Sequence, residues 1–250
     1  MKSRIRLSVA AVAASAALVG GVAPVLVAPV PVATAAPSND SIAAKRALDS
    51  IAPQPHDAAD VVSNIQTANA VLKKLGITPF TPTLGACTDF TFPMAVGGAM
   101  PGPNTPILGD MTYKILGKDV DLNAVRKGEI LYGFVPAGTF DDSADKKGMQ
   151  VAWFNVDTFK GGLAEPMGGL TDTILDAVEK RIAESGLPSV LVKTAIDPLK
   201  KKLNEIPSNG VRGGLVETEQ GTVLSAIYGT VKKGDATCYF FPSMGIATAK

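Results

Sequence analysis

Of the 250 residues one is histidine, two are cysteine and one is tryptophan, and aromatic residues make up only 6% of the chain. The scarcity of histidine excludes most: a multi-histidine zinc site is impossible, and a Ser-His-Asp or Cys-His relay would have to use His56. That residue stands between Pro55 and Asp57, in a connection leading into a predicted helix, where an exposed imidazole is the expected identity. A G-x-S-x-G elbow, an H-E-x-x-H pair, a P-loop and a dinucleotide fingerprint are all missing. The chain therefore carries no cofactor signature and points away from an enzyme. A secreted hydrolase resting on His56 or on acids such as Asp89 and Asp110 is the enzymatic alternative.

An excess of either charge is also lacking. The 24 Lys+Arg and 23 Asp+Glu give a net charge of +1 and are interspersed, apart from Lys200-Lys201-Lys202 on the expected solvent face of a helix. Phosphate binding needs a concentrated basic footprint, so nucleic acid is excluded as the expected partner. With 19% charged and 46% hydrophobic residues, the chain has ample material for a packed core.

Long hydrophobic runs are absent except at the N-terminus. Lys2, Arg4 and Arg6 precede an apolar stretch from Leu7 to Val19, and Ala33-Thr34-Ala35 supplies small residues at the −3 and −1 positions. These three parts predict a cleavable signal peptide over residues 1–35, cut between Ala35 and Ala36. A membrane anchor is the rival reading, but a spanning helix needs about 20 uninterrupted apolar residues. Gly20, Gly21, Pro24, Pro29 and Pro31 interrupt this one. Cleavage would leave 215 residues without a transmembrane anchor, and removing three of the 24 basic residues would leave 21 against 23 acidic. The expected location is secreted or in the cell envelope.

In that setting Cys87 and Cys238, 151 positions apart, are most simply a disulfide. The bridge would close nearly the whole main domain into one loop.

Periodicity divides the remaining chain. Val61, Ile65, Ala68, Leu72 and Leu75 recur every three or four positions and predict a helix stopped at Gly76; Ile42, Leu48 and Ile51 predict a shorter one over 41–51. Residues 36–83 thus read as a helical segment with Phe80-Thr81-Pro82-Thr83 as a connector. From Cys87 onward, short alternating runs separated by Gly, Pro, Asn and Asp predict strands, among them Ile130 to Val135 and Val151 to Val156. Three more, at Leu215 to Thr218, Thr222 to Val231 and Thr237 to Phe241, read as an antiparallel meander. Helical spacing returns in Ile174, Leu175, Val178 and Ile182, then in Leu199, Leu203 and Ile206. The expected fold is mainly β: an antiparallel β-sandwich-like domain over 84–250, with N-terminal helices and a two-helix insertion at 171–206. The insertion either caps the sandwich or forms a lid over an apolar cavity that takes a lipid-like ligand.

Two candidate sites need weighing. Asp119, Asp121 and Asn123 have the spacing that opens a calcium loop, but Ala124 replaces the turn glycine and Ile130 the closing Glu. Solvated turn acids are the better reading, as for Asp141, Asp142 and Asp145, and no metal site is expected. Val96 to Gly109, rich in Gly and Pro, reads as a long rim loop, and its Met100, Asn104 and Ile107 are the candidate binding residues. In Trp153-Phe154 strand alternation points at least one ring inward, with Trp153 the expected core residue.

Leu84-Gly85-Ala86-Cys87-Thr88-Asp89-Phe90, Val151-Ala152-Trp153-Phe154-Asn155-Val156 and Gly221-Thr222-Val223-Leu224-Ser225-Ala226-Ile227-Tyr228-Gly229-Thr230, behind an Ala/Val-rich signal, resemble uncharacterised exported proteins of mycobacteria and corynebacteria. The resemblance covers residues 84 to 245 and implies a place in or beyond a mycolic-acid envelope, with no catalytic residue carried over. The function expected from the sequence is a non-enzymatic binding or structural role there, with an envelope lipid, glycan or protein as partner. A lipid or glycolipid carrier is the alternative.

Overall fold

The computed structural model describes residues 55–115, 118–137, 146–186, 197, 199–205 and 210–250. The export segment with its Ala35–Ala36 junction, the 41–51 helix and Asp141, Asp142 and Asp145 lie outside the described residues.

The apolar stripe beginning at Val61 folds as α1 (Pro55–Lys74), with Ala68 and Leu72 buried and Gly76 at φ 78° ending it, a backbone angle that glycine adopts without steric penalty. The rest is mainly antiparallel β: β1 (Thr78–Cys87), β2 (Met94–Pro101), β3 (Thr112–Ile115), β4 (Lys118–Asp121), β5 (Glu129–Pro136), β6 (Met149–Asn155), β7 (Lys160–Leu163), β8 (Gly168–Gly169), β9 (Arg212–Glu217), β10 (Gly221–Lys233) and β11 (Ala236–Ala249). The insertion supplies α2 (Leu170–Ser185) and a helical stretch over 199–203.

Nine strands form one sheet in the order β7-β6-β10-β11-β1-β2-β5-β9-β8, and β3 and β4 form a separate hairpin. The sheet curls until its ends meet. The Ala164 and Met167 amides donate to the Val151 and Met149 carbonyls of β6, and the same segment continues into β8, which pairs with β9.

Alternation then sorts the side chains. Inside the curl lie Phe80, Ile130, Tyr132, Phe134, Met149, Val223, Ile227 and Phe240. On the opposite face of β2, β5 and β9, Val96, Met100, Leu131 and Val135 pack beneath Leu72 and Leu75 of the α1 region and Leu170, Ile174 and Val178 of α2. β2 and β5 are apolar on both faces because both are covered.

Three expectations fail for local reasons. The connector at 80–83 is part of β1. Pro79 and Pro82 deprive it of ladder donors, and hydroxyls take over: Thr81 Oγ1 accepts from the Met244 amide, Thr83 Oγ1 donates to the Phe241 carbonyl, and Ser243 Oγ donates to the Thr81 carbonyl. The first half of the predicted rim loop is β2, in the middle of the sheet. Its Gly98 is needed there, since a Cβ would sit 2.7 Å from the Thr78 carbonyl oxygen and from Ile77. The predicted meander is a two-stranded pair only. β10 pairs with β11, whereas β9 lies next to β5, because residues 218–220 turn around buried Asn155, whose Nδ2 donates to the Thr218 and Gln220 carbonyls.

Candidate functional site

Cys87 and Cys238 are bonded to each other and face one another across the β1–β11 pair. His56 falls in the first turn of α1.

The two acids with the best claim to chemistry are both turn acceptors. Asp89 accepts from the Thr91 hydroxyl (2.7 Å) and amide (3.1 Å), with Lys233 Nζ 3.6 Å away; these contacts, the hydroxyl first, hold its pKa below the ordinary carboxylate value. Asp110 accepts from the Thr112 hydroxyl (2.7 Å) and Asn123 Nδ2 (2.9 Å), which lower its pKa likewise. A carboxylate held ionised in this way is a poor general acid and a weak base.

Asn123 replaces the imagined calcium site. It is fully buried; its Oδ1 accepts from the Met111 amide (2.7 Å), and its Nδ2 donates to Asp110, Thr112 and Asp121. The Asp110 and Asp121 oxygens that a cation would use are already engaged with this amide. Among the described residues, no group of three or more His, Cys, Asp and Glu could hold a metal ion.

The proposed binding loop is divided by the fold. Met100 is buried beneath the helices, Asn104 is tied to Val125 by reciprocal backbone hydrogen bonds, and Ile107 is half-buried against the same core at φ 71°. The three therefore do not present one exposed surface.

The helical insertion is seated on the sheet. A Cβ on Gly213 of β9 would lie 2.6 Å from Leu170 Cα, so α2 starts in direct contact with the strand. Farther along, Arg181 Nη2 donates to Glu129 Oε1 at 2.6 Å with both side chains largely buried, and Arg126 and Arg181 both reach Glu184. Beside α2 lies an open cleft of about 310 Å³ bordered by Glu165, Asp176, Lys180 and the Gly213–Leu215 backbone. A second, of about 230 Å³, adjoins Thr91, Phe92 and Lys233. Both are at or below the lower end of ligand-pocket sizes, and both have charged walls.

Tyr132 Oη and Ser225 Oγ meet at 2.7 Å inside the curl, and burial pushes the phenol up to about 12, so this pair is an internal cross-tie of the packed core.

The surface that sequence reasoning missed is the outer face of β6, β7, β10 and β11. Phe154, Leu224 and Ile246 are direct cross-strand neighbours, and the next row runs Leu163, Ala152, Ala226, Met244. Tyr239 and Phe241 continue the exposed side of β11. These seven large side chains are 42–63% exposed, and neither row contains a charge. No helix covers this side among the described residues, in contrast to β2, β5 and β9. Outward apolar residues at Leu224, Ala226, Met244 and Ile246 were readable in the sequence as the second parity of two long strands.

No protein family, curated protein or solved structure matches this chain.

Proposed function

We propose that this protein is exported and acts outside the cytoplasm as a non-enzymatic binding or structural component of the cell envelope. The observation that carries the reading is the charge-free apolar face on β6, β7, β10 and β11, because exposed apolar patches of this breadth mark interaction sites. The Cys87–Cys238 disulfide and the three-part export pattern of residues 1–35 support the compartment, and no described helix is long and apolar enough to cross a membrane. The direct seating of α2 favours a cap over a lid, which weakens the carrier alternative. The engaged, low-pKa carboxylates of Asp89 and Asp110 weaken the hydrolase alternative.

Fractionation of the native host tests the reading. The chain is expected outside the cytoplasm with residues 1–35 removed, and Leu224→Lys is expected to release it from envelope material while Asp176→Ala in the α2 cleft does not. Retention in the cytoplasm with residues 1–35 intact, or release by Asp176→Ala alone, refutes it.

A further inference from the structure

Antiparallel strands that pack one face and solvate the other alternate apolar and polar residues. β10 breaks that rule from Val223 to Ile227. Val223, Ser225 and Ile227 face the interior, while Leu224 and Ala226 face outward beside Phe154 and Ala152 on one flank and Ile246 and Met244 on the other. A sheet apolar on both faces calls for a layer on each. Among the described residues, the helices pack over β2, β5 and β9 and none lies over this face.

We propose that the missing layer is a second copy of this chain, the two β6-β10-β11 faces packing as a two-fold symmetric sandwich. The inference rests on the reading of this face as the working surface and names its occupant. Three observations favour a second copy over a lipid surface or an unrelated protein. The first is size: seven large side chains exposing about half of their area amount to on the order of 700 Å², close to the ~800 Å² per partner of a standard interface. The second is chemistry. Homodimer interfaces are the most apolar class and exclude charge from their centre, as both rows here do. The third is the rim, where Lys160 pairs with Glu219 and Lys233 with Asp89. An anionic lipid surface is met by surplus cations around the apolar patch; these two lysines are already neutralised, and Lys232, at the Tyr239 end, donates to the Thr237 hydroxyl.

Leu224 occupies the centre, between Phe154 and Ile246, and in a two-fold arrangement it packs near its own copy. Leu224→Lys would set like charges against each other across the axis.

Sedimentation velocity over a micromolar concentration series, on the chain purified in the form in which it accumulates, decides the matter. The expected result is a species of twice the chain mass, with Leu224→Lys weakening dimerisation at least about 30-fold, as for a central hot spot, and leaving far-UV circular dichroism unchanged. Ile246→Lys and Leu163→Lys, farther from the centre, serve as second variants if Leu224→Lys does not fold. A wild-type monomer throughout the series overturns the proposal, as does a dimer indifferent to all three substitutions. Binding of the wild-type monomer to phosphatidylglycerol vesicles, lost on Leu224→Lys, also overturns it in favour of a lipid surface. A monomer still released from the envelope by Leu224→Lys removes the dimer and leaves the functional reading standing. A monomer that Leu224→Lys does not release removes both.

Discussion

Replacing Arg181 with leucine tests whether α2 is a fixed cap or a lid. The Arg181 side chain is 8% exposed and that of its partner Glu129 15%; Oε1 of that carboxylate takes the Arg181 donor at 2.6 Å, and Oε2 takes the Arg126 amide at 2.8 Å. Arg181→Leu leaves Oε1 largely buried without its cation. Stranding one member of a buried pair costs about 3–5 kcal/mol, a large fraction of the stability of an ordinary domain. For a chain of this size each kcal/mol moves the melting temperature about 2–4 °C, so a fall of about 10 °C is expected. Arg181→Leu/Glu129→Leu should recover most of the loss, since replacing both charges removes the stranded carboxylate. Urea unfolding of the wild type, the two single variants and the double variant gives the coupling energy directly, expected above ~1 kcal/mol. If Arg181→Leu costs less than ~1 kcal/mol and α2 amides exchange as fast as those of a frayed segment, the helix is not clamped and the lid returns.

Two further outcomes follow from the core. Cys87→Ala/Cys238→Ala should keep the native far-UV spectrum but lower stability by about 3–5 kcal/mol in urea, the chain-entropy cost of reopening a loop of this length; two free thiols in the unfolded, unreduced wild type would end the argument. Tyr132 has its pKa raised from 10.0 to about 12, so its neutral form is favoured in the native state. Its contribution to stability is complete below pH 10 and is lost as pH rises from there towards 12. An ultraviolet pH titration should therefore leave one phenol protonated until near pH 12, and Tyr132→Phe should remove that late step; its persistence in Tyr132→Phe refutes the assignment.

α1 and α2 were legible because their signal is local. Val61, Ile65, Ala68 and Leu72 share one face whatever α1 packs against, and the pairing of Cys87 with Cys238 needs only an oxidising compartment. The strands hidden by their own composition were not. Pro79 and Pro82 make β1 look like a connector, because the Thr81, Thr83 and Ser243 hydroxyls that replace its ladder come together only across more than 150 residues of chain. Gly97 and Gly98 make β2 look like a loop, although the lack of a side chain is what lets the strand pass Ser243 on one face and Ile77 on the other.

The missed surface has a different cause. In Glu129 to Pro136 and in Gly221 to Tyr228 the sequence places apolar residues at both parities, and nothing local separates a strand covered twice from one covered once. Leu131 and Leu224 are both outward-facing leucines on long strands, yet Leu131 lies within the helix-covered core and Leu224 lies in the open. The difference is set by chain order, which sends α1 and α2 to the β2-β5-β9 end of the curl and, among the described residues, leaves β6 and β10 without a helix. Second-face apolarity is thus a statement about a partner, and only the topology says whether that partner belongs to the same chain. For β5 the partner is α1 and α2. For β10 none of the described residues supplies it, which is why one lysine at position 224 separates a surface retained for folding from one retained for association: as a fold requirement it would lower stability, and as an interface requirement it leaves stability intact and breaks the dimer.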